Sequence, residues 1–208
     1  MDQDMNTLNC SEVTDHGRKK VVIETLKSWA SMAVFDNTEI SNEKFLRERA
    51  EINKHEYAQC TPSTWGKQEE LGCVCLDIVD AWETGGFDEK LYVVTNVNRV
   101  CVAVITLSKY NDFAGRVDFE DTEGSIVTIT GLVKKPGYKQ SIRTGITEFF
   151  KILKKNETKM VMVASASGAG KAYANYGFTE TRLDAHHNCR EGGSKPIACG
   201  CMVMYKAL

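Results

Sequence analysis

The sequence predicts a mixed α/β fold in which helices are layered on a sheet. Two β runs, Leu91 to Val97 and Val100 to Leu107, are joined by Asn96-Val97-Asn98-Arg99, a hairpin signal. A third, Ser125 to Val133, leads through a Pro/Gly/Lys loop into an apolar-faced helix. A short apolar run, a small-residue helix ending in Tyr-Gly-Phe and a last pair of β runs complete the chain.

Taken in order, residues 1–17 carry no periodic apolar pattern and read as a loose tail. Residues 18–208 read as a single domain, with a helical N-terminal part at 18–90 and a core at 91–208. Val22, Leu26, Trp29, Ala30 and Ala33 fall at helical spacing, which predicts a helix over Val21 to Phe35, stopped by Asp36-Asn37. Ser41 suits an N-cap for a second, heavily charged helix from Asn42 to Tyr57, whose charges read as a solvated face. Pro62 and Gly66 break the stretch from Thr61 to Gly72 into loop. The run from Cys73 to Trp82 fits a strand or a short helix.

Asn111 to Gly124 is an acidic connection carrying Asp112, Asp118, Glu120, Asp121 and Glu123. The helix from Gly145 to Lys155 gathers Ile146, Phe149, Phe150 and Leu153 on one face, and its C-terminal lysines suit the helix dipole. Met160 to Ala164 reads as a short buried strand, and Ala169 to Tyr176 as a short helix closed by Gly177. Phe178 to Leu183 and Cys201 to Tyr205 form a closing β pair around a Gly/Pro/Ser loop at 191–196.

Composition excludes several classes. A net charge of −2 gives no general attraction to nucleic acid or anionic membrane. No apolar run approaches the roughly 20 residues that span a bilayer. The polar, acidic N-terminus is unlike a signal or transit peptide, so a cytoplasmic location is expected. The eight cysteines are scattered and, in that setting, read as free thiols.

Two stretches resemble the GNAT-type N-acetyltransferase superfamily, which transfers an acyl group from coenzyme A to an amine. Gln140-Ser141-Ile142-Arg143-Thr144-Gly145 is similar to the family's Q/R-x-x-G-x-G/A loop, with Arg143 where the family usually has glycine. Such a loop presents backbone N–H groups at a helix N-terminus, a seat for pyrophosphate, and an Arg143 guanidinium would add its own grip. Gly170-Lys171-Ala172-Tyr173-Ala174-Asn175-Tyr176-Gly177-Phe178 is similar to the family's A-x-x-x-Y-x-x-x-G-F ending. The resemblance covers about residues 90–206.

It implies a central mixed, mostly antiparallel sheet flanked by helices, with acetyl-CoA as cosubstrate. By the same comparison Tyr173 is the general acid that reprotonates the leaving thiolate, a role a phenol can fill. Backbone groups of Leu132 and Val133 would hold the acyl carbonyl and the pantetheine arm. The strand Ser125 to Val133 carries no carboxylate, so the general base is sought among Glu120, Asp121, Glu123, His186 and His187, with Glu123 favoured. The asparagine that the family usually places near the start of the second helix is replaced by Ser165, Ala166 and Ser167.

The acceptor is an amine of a small molecule or protein. No membrane partner is expected, and nucleic acid only as an aminoacyl-tRNA acceptor. The acidic loop is a hint of a cationic acceptor. The alternative is a catalytically inactive binding module of the same fold acting through protein–protein contacts, which Arg143 and the missing strand carboxylate would favour.

Other motifs are weaker. Ser167-Gly168-Ala169-Gly170-Lys171 lacks two positions of the phosphate-binding P-loop, with Ser165 and Ala172 where glycine and Ser/Thr are required. His186, His187, Cys189, Cys199 and Cys201 are crowded but not at a standard zinc spacing, and no metal is expected. Cys73-Val74-Cys75 reads as strand packing.

Overall fold

The computed structural model describes residues 7–35, 67–85, 90–108, 125–165, 169–184, 190–191, 195–196 and 202–208. The predicted helix at 42–57, the acidic loop with Glu120, Asp121 and Glu123, and the group His186, His187, Cys189, Cys199 and Cys201 lie outside the described residues.

Strands β1 (Asn9–Glu12), β2 (Lys90–Thr95), β3 (Cys101–Ser108), β4 (Ile126–Lys134), β5 (Met160–Ser165), β6 (Thr179–Asp184) and β9 (Met202–Ala207) build one sheet. Its order is β1-β2-β3-β4-β5-β9-β6, and β7 (Arg190–Glu191) pairs with β8 (Lys195–Pro196) apart from it. Among the described strands only β4 and β5 run parallel, and the other pairs of the sheet are antiparallel. The helices are α1 (His16–Phe35), α2 (Lys67–Glu83), α3 (Arg143–Lys155) and α4 (Gly170–Asn175).

The continuous apolar runs of β2 and β3 follow from cover on both faces. Leu91 and Val93 point into a core with Val22, Ile23, Leu26 and Trp29 of α1 and Ile78 of α2. Tyr92 and Val94, the alternate residues, point into a second core with Ile146, Phe149 and Leu153 of α3. Phe149 is fully buried, and its ring meets that of Tyr92 edge to face at 5.1 Å. The two cores clamp the sheet between α1/α2 and α3.

Two expectations are corrected. Residues 9–12, read as part of a loose tail, form an edge strand paired with β2 from Asn9↔Thr95 to Glu12↔Tyr92. The Tyr92 hydroxyl donates to Glu12 Oε2 at 3.1 Å. Cys73 to Trp82 belongs to helix α2, so Cys73-Val74-Cys75 is helical, with Cys75 fully buried against α1. Helix α1 begins at His16, earlier than predicted, because the Asp15 carboxylate accepts the Arg18 N–H at 2.8 Å and caps the first turn.

Burial, together with the nearby Glu148 carboxylate, pushes the Cys10 thiol up to about 12, and burial pushes Cys101 up to about 11. A raised pKa leaves the neutral thiol dominant at pH 8. The Cys10 thiolate fraction there is on the order of one in ten thousand, against about one in four for an unperturbed thiol. Iodoacetamide at pH 8 is therefore expected to spare Cys10 and Cys101 in the native protein and to label both in urea, as read by peptide mass mapping.

Candidate active site

The site is built where β4 leaves β5. Their parallel ladder runs from Ile126↔Met160 to Ile129↔Val163 and stops, although β4 continues to Lys134. A register shift against β3 sits at the same place: Ile129 faces Leu107 and Gly131 faces Thr106, which leaves Thr130 as the extra residue of a bulge. The Thr130 and Thr106 hydroxyls are 2.8 Å apart, with Thr106 buried and Thr130 exposed. A Cβ at Gly131 would stand 2.8 Å from Thr106 Oγ1 and 2.9 Å from Ile78 Cδ1, so a larger residue would have to displace these side-chain ends where the bulged strand lies against α2.

Leu132 and Val133 lie in the splayed half of β4, opposite Ile105 and Val104 of β3 and beyond the end of the β5 ladder. Leu132 is half-buried and Val133 fully buried. The chain then turns through Lys135 to Tyr138, whose N–H donates to Lys135 O at 3.1 Å. Pro136 and Gly137 sit at the centre, with φ of +73° at Gly137 as a type II turn needs.

The predicted Gln140 to Gly145 stretch opens α3. Gln140 and Ser141 are exposed, Ile142 is the buried N-cap residue, and Arg143 is the first helical residue with its side chain in solvent. Ser141 Oγ accepts the Arg143 N–H at 3.2 Å, and Gln140 Oε1 accepts from the Tyr138 hydroxyl at 3.0 Å. Among the described residues the Thr144 and Gly145 amides have no acceptor, so two first-turn donors point out of a helix whose Gly145 lies on Val94, in register through Ala103 with Lys134 at the far end of β4. A Cβ at Gly145 would run into Val94 Cγ1 of β2, so this glycine sets how closely the helix approaches the sheet.

Tyr173 lies mid-way along α4, which ends in a Schellman motif. The Phe178 N–H donates to Tyr173 O at 3.1 Å and the Gly177 N–H to Ala174 O at 2.9 Å, with φ of +86° at Gly177. The Tyr173 ring packs edge to face on Phe178 at 5.5 Å, and its hydroxyl makes no hydrogen bond among the described residues. Burial, and then the neighbouring Tyr176 phenol, hold Tyr173 above the usual phenol range, so it carries its proton at neutral pH. Tyr176 is also raised by burial, with the Arg143 charge opposing the shift.

Sequence reasoning missed three features. The first is the bulge at Thr130, for which an isolated glycine inside a β run, Gly131, was the available signal. The second is the buried Thr106 hydroxyl beside it. The third is a cleft of about 610 Å³ between α3 and the end of α4, to which Tyr176 and Lys206 contribute. Among the described residues no cluster of three or more His, Cys, Asp or Glu could hold a metal. No helix among them is long and apolar enough to cross a membrane.

A seven-stranded, mostly antiparallel sheet with one parallel pair and helices on both faces is the fold of the GNAT-type N-acetyltransferases. An acetyltransferase from Bacillus subtilis in complex with coenzyme A matches with a TM-score of 0.50 at 13% identity, over 97% of this chain and 99% of that one. A GCN5-related N-acetyltransferase from Rhodopseudomonas palustris matches with a TM-score of 0.50 at 13% identity, over 99% of each chain. No protein-family model and no curated protein sequence gives a significant match.

Replacing Gly145 by alanine is expected to cost about 1–3 kcal/mol by forcing a buried side chain or α3 to shift. Urea unfolding of the variant beside the parent measures it.

Proposed function

We propose that the protein is an N-acetyltransferase that moves an acetyl group from acetyl-CoA to a primary amine by direct attack. The observation that carries this reading is the coincidence, at one end of the sheet, of the β4/β5 splay with the unpartnered amides that open α3. The chain's residues suit the cosubstrate. The splay is a slot between two strands, and the amides of Thr144 and Gly145 with the Arg143 guanidinium suit a pyrophosphate. In the bound state acetyl-CoA supplies an activated thioester carbonyl.

Backbone groups of Leu132 and Val133 hold the pantetheine arm by strand-like pairing and polarise that carbonyl. Tyr173, protonated at neutral pH, donates its proton to the departing sulfur. Holding both reactants in the splay provides the proximity contribution. A base or water chain takes the amine proton, and Glu123 is its proposed owner. The Thr130 hydroxyl, turned outward by the bulge, lines the acceptor side of the slot. The inactive-module reading gains nothing from Arg143, whose exposed side chain leaves the neighbouring amides open.

Calorimetry with acetyl-CoA is expected to give a dissociation constant in the micromolar range or below; a well-folded sample that shows no such binding overturns the reading. Tyr173→Phe keeps the ring packing on Phe178 and removes only the proton. It is expected to lower turnover by about 100-fold at unchanged coenzyme A affinity, measured by thiol release across a panel of amines, peptides and aminoacyl-tRNA. An unchanged rate removes Tyr173 from the mechanism.

A further inference from the structure

The chain between β2 and β3, Asn96 to Val100, is exposed from Val97 onward. Val97 is 54% and Val100 43% exposed, among the few large apolar side chains left in solvent by the described residues. The tip that carries them is rigid. The Asn96 carboxamide accepts the Asn98 N–H at 3.1 Å and the Val100 N–H at 3.0 Å, and the Asn96 backbone N–H donates to Val100 O at 3.0 Å. Arg99, directly before Val100, has φ of +60°, in the left-handed region where glycine or asparagine is the low-strain choice. Its side chain is exposed, so no packing offsets that strain.

Cations surround this tip. The Lys135 N–H donates to Val102 O at 2.9 Å, so the turn after β4 leaves the sheet at the root of the hairpin. Lys134 pairs opposite Ala103, and its ammonium lies 5.5 Å from the centroid of the Tyr138 ring. The Lys135 charge is felt at Cys101, the first residue of β3 after the tip. Lys139 is exposed one residue beyond Tyr138. No aspartate or glutamate occurs from Leu91 to Ser108 or from Ser125 to Thr147. Among the described residues Arg99, Lys134, Lys135 and Lys139 have no carboxylate partner. The overall charge of −2 averages over this segregation and hides it.

The partner has to cover both kinds of group. A second copy of the chain, docked by this same face, would set the unpaired cations against each other across a twofold axis. A nucleic acid would meet the cations and leave the valines bare. It would also lack a free ring to stack on, because Lys134 lies over Tyr138 and the Tyr138 hydroxyl donates to Gln140. An anionic bilayer surface uses everything present: apolar side chains enter the headgroup layer while the cations meet lipid phosphates. A preformed tip reaches that interface with little further ordering.

We propose that the β2/β3 tip and the turn after β4 form a docking surface for an anionic lipid bilayer. Val97 and Val100 insert, and Arg99, Lys134, Lys135 and Lys139 sit on the headgroups. None of these residues is assigned to acetyl-CoA above, so the surface stands or falls independently of that reading. The attachment is weak, reversible and sensitive to salt.

Co-sedimentation of the full chain with vesicles tests this, using phosphatidylcholine alone and phosphatidylcholine mixed with phosphatidylserine. Binding is expected to the mixed vesicles only, and to be lost at high salt. Arg99→Gly removes one cation and relieves the backbone. It is expected to weaken partitioning about fivefold while the thermal midpoint holds or rises, a pairing that mere misfolding does not give. The double variant Val97→Ser/Val100→Ser is expected to weaken partitioning about tenfold at an unchanged midpoint. Failure of the parent to bind the mixed vesicles overturns the proposal, as does unchanged partitioning of the double valine variant. Tighter binding of an oligouridylate than of the mixed vesicles makes the surface a nucleic-acid site and also overturns it.

Discussion

A parallel ladder that ends at Ile129 and Val163, while β4 runs on, leaves backbone without a strand partner in the middle of a sheet. Several independent contacts hold this opening. Strand β5 is fixed by β9 along its whole length, from Met160↔Ala207 to Ser165↔Met202, so it cannot follow β4. Strand β4 is fixed by β3, and the bulge at Thr130 bends it. The Thr106–Thr130 hydroxyl pair and the bare Cα of Gly131 against Ile78 lock that bend. Unpaired backbone inside a sheet is costly to leave dry. A fold that maintains it on both sides presents a slot shaped for an extended, hydrogen-bonding ligand.

In the proposed site helix α3 meets this slot with its N-terminus. Its position is set at two points: Gly145, which lets it press on Val94, and Phe149, buried whole beneath it. From Phe149 a run of rings leads outward through Phe150 at 5.5 Å and Phe178 at 5.9 Å to Tyr173 at 5.5 Å. Each aromatic contact adds roughly 0.5–1.5 kcal/mol beyond simple burial. A six-residue helix such as α4 has little stability of its own. This run and the Schellman closure at Gly177 give Tyr173 a defined place on so short a helix, and they tie it to the core that also positions α3.

Much of the architecture was legible because burial on both faces writes itself as near-continuous apolar runs in β2 and β3. Amphipathic spacing did the same for α1 and α3. Strand β1 was hidden because four residues, Asn-Cys-Ser-Glu, carry no apolar pattern; partner β2, far along the chain, recruits them through its own unpaired edge. Helix α2 was undecided because Cys-Val-Cys-Leu-Asp-Ile-Val suits either geometry until packing on α1 selects one. In the proposed site, the loop and Tyr173 were singled out through local motifs. The splay was not, because it is a property of which strands pair and where they stop.

The residue that departs most from the family pattern also shows what kind of constraint that pattern expresses. Glycine is irreplaceable where φ is positive or where a Cβ would collide. Gly137 meets the first condition with φ of +73°, and Gly145 the second. Position 143 meets neither: Arg143 is absent from the positive-φ residues and its side chain stands in solvent at the first turn of α3. Arginine there costs the backbone nothing and leaves the amides of Thr144 and Gly145 facing outward. The substitution adds a fixed cation at the positive end of a helix, where it strengthens the field on an incoming anion and would repel a cation. It also links the helix N-terminus to the groove beyond it, since the same guanidinium lies close enough to Tyr176 to bias its ionisation. At this position the chain has exchanged a small residue's clearance for a charge, without disturbing the glycine that holds the helix against the sheet.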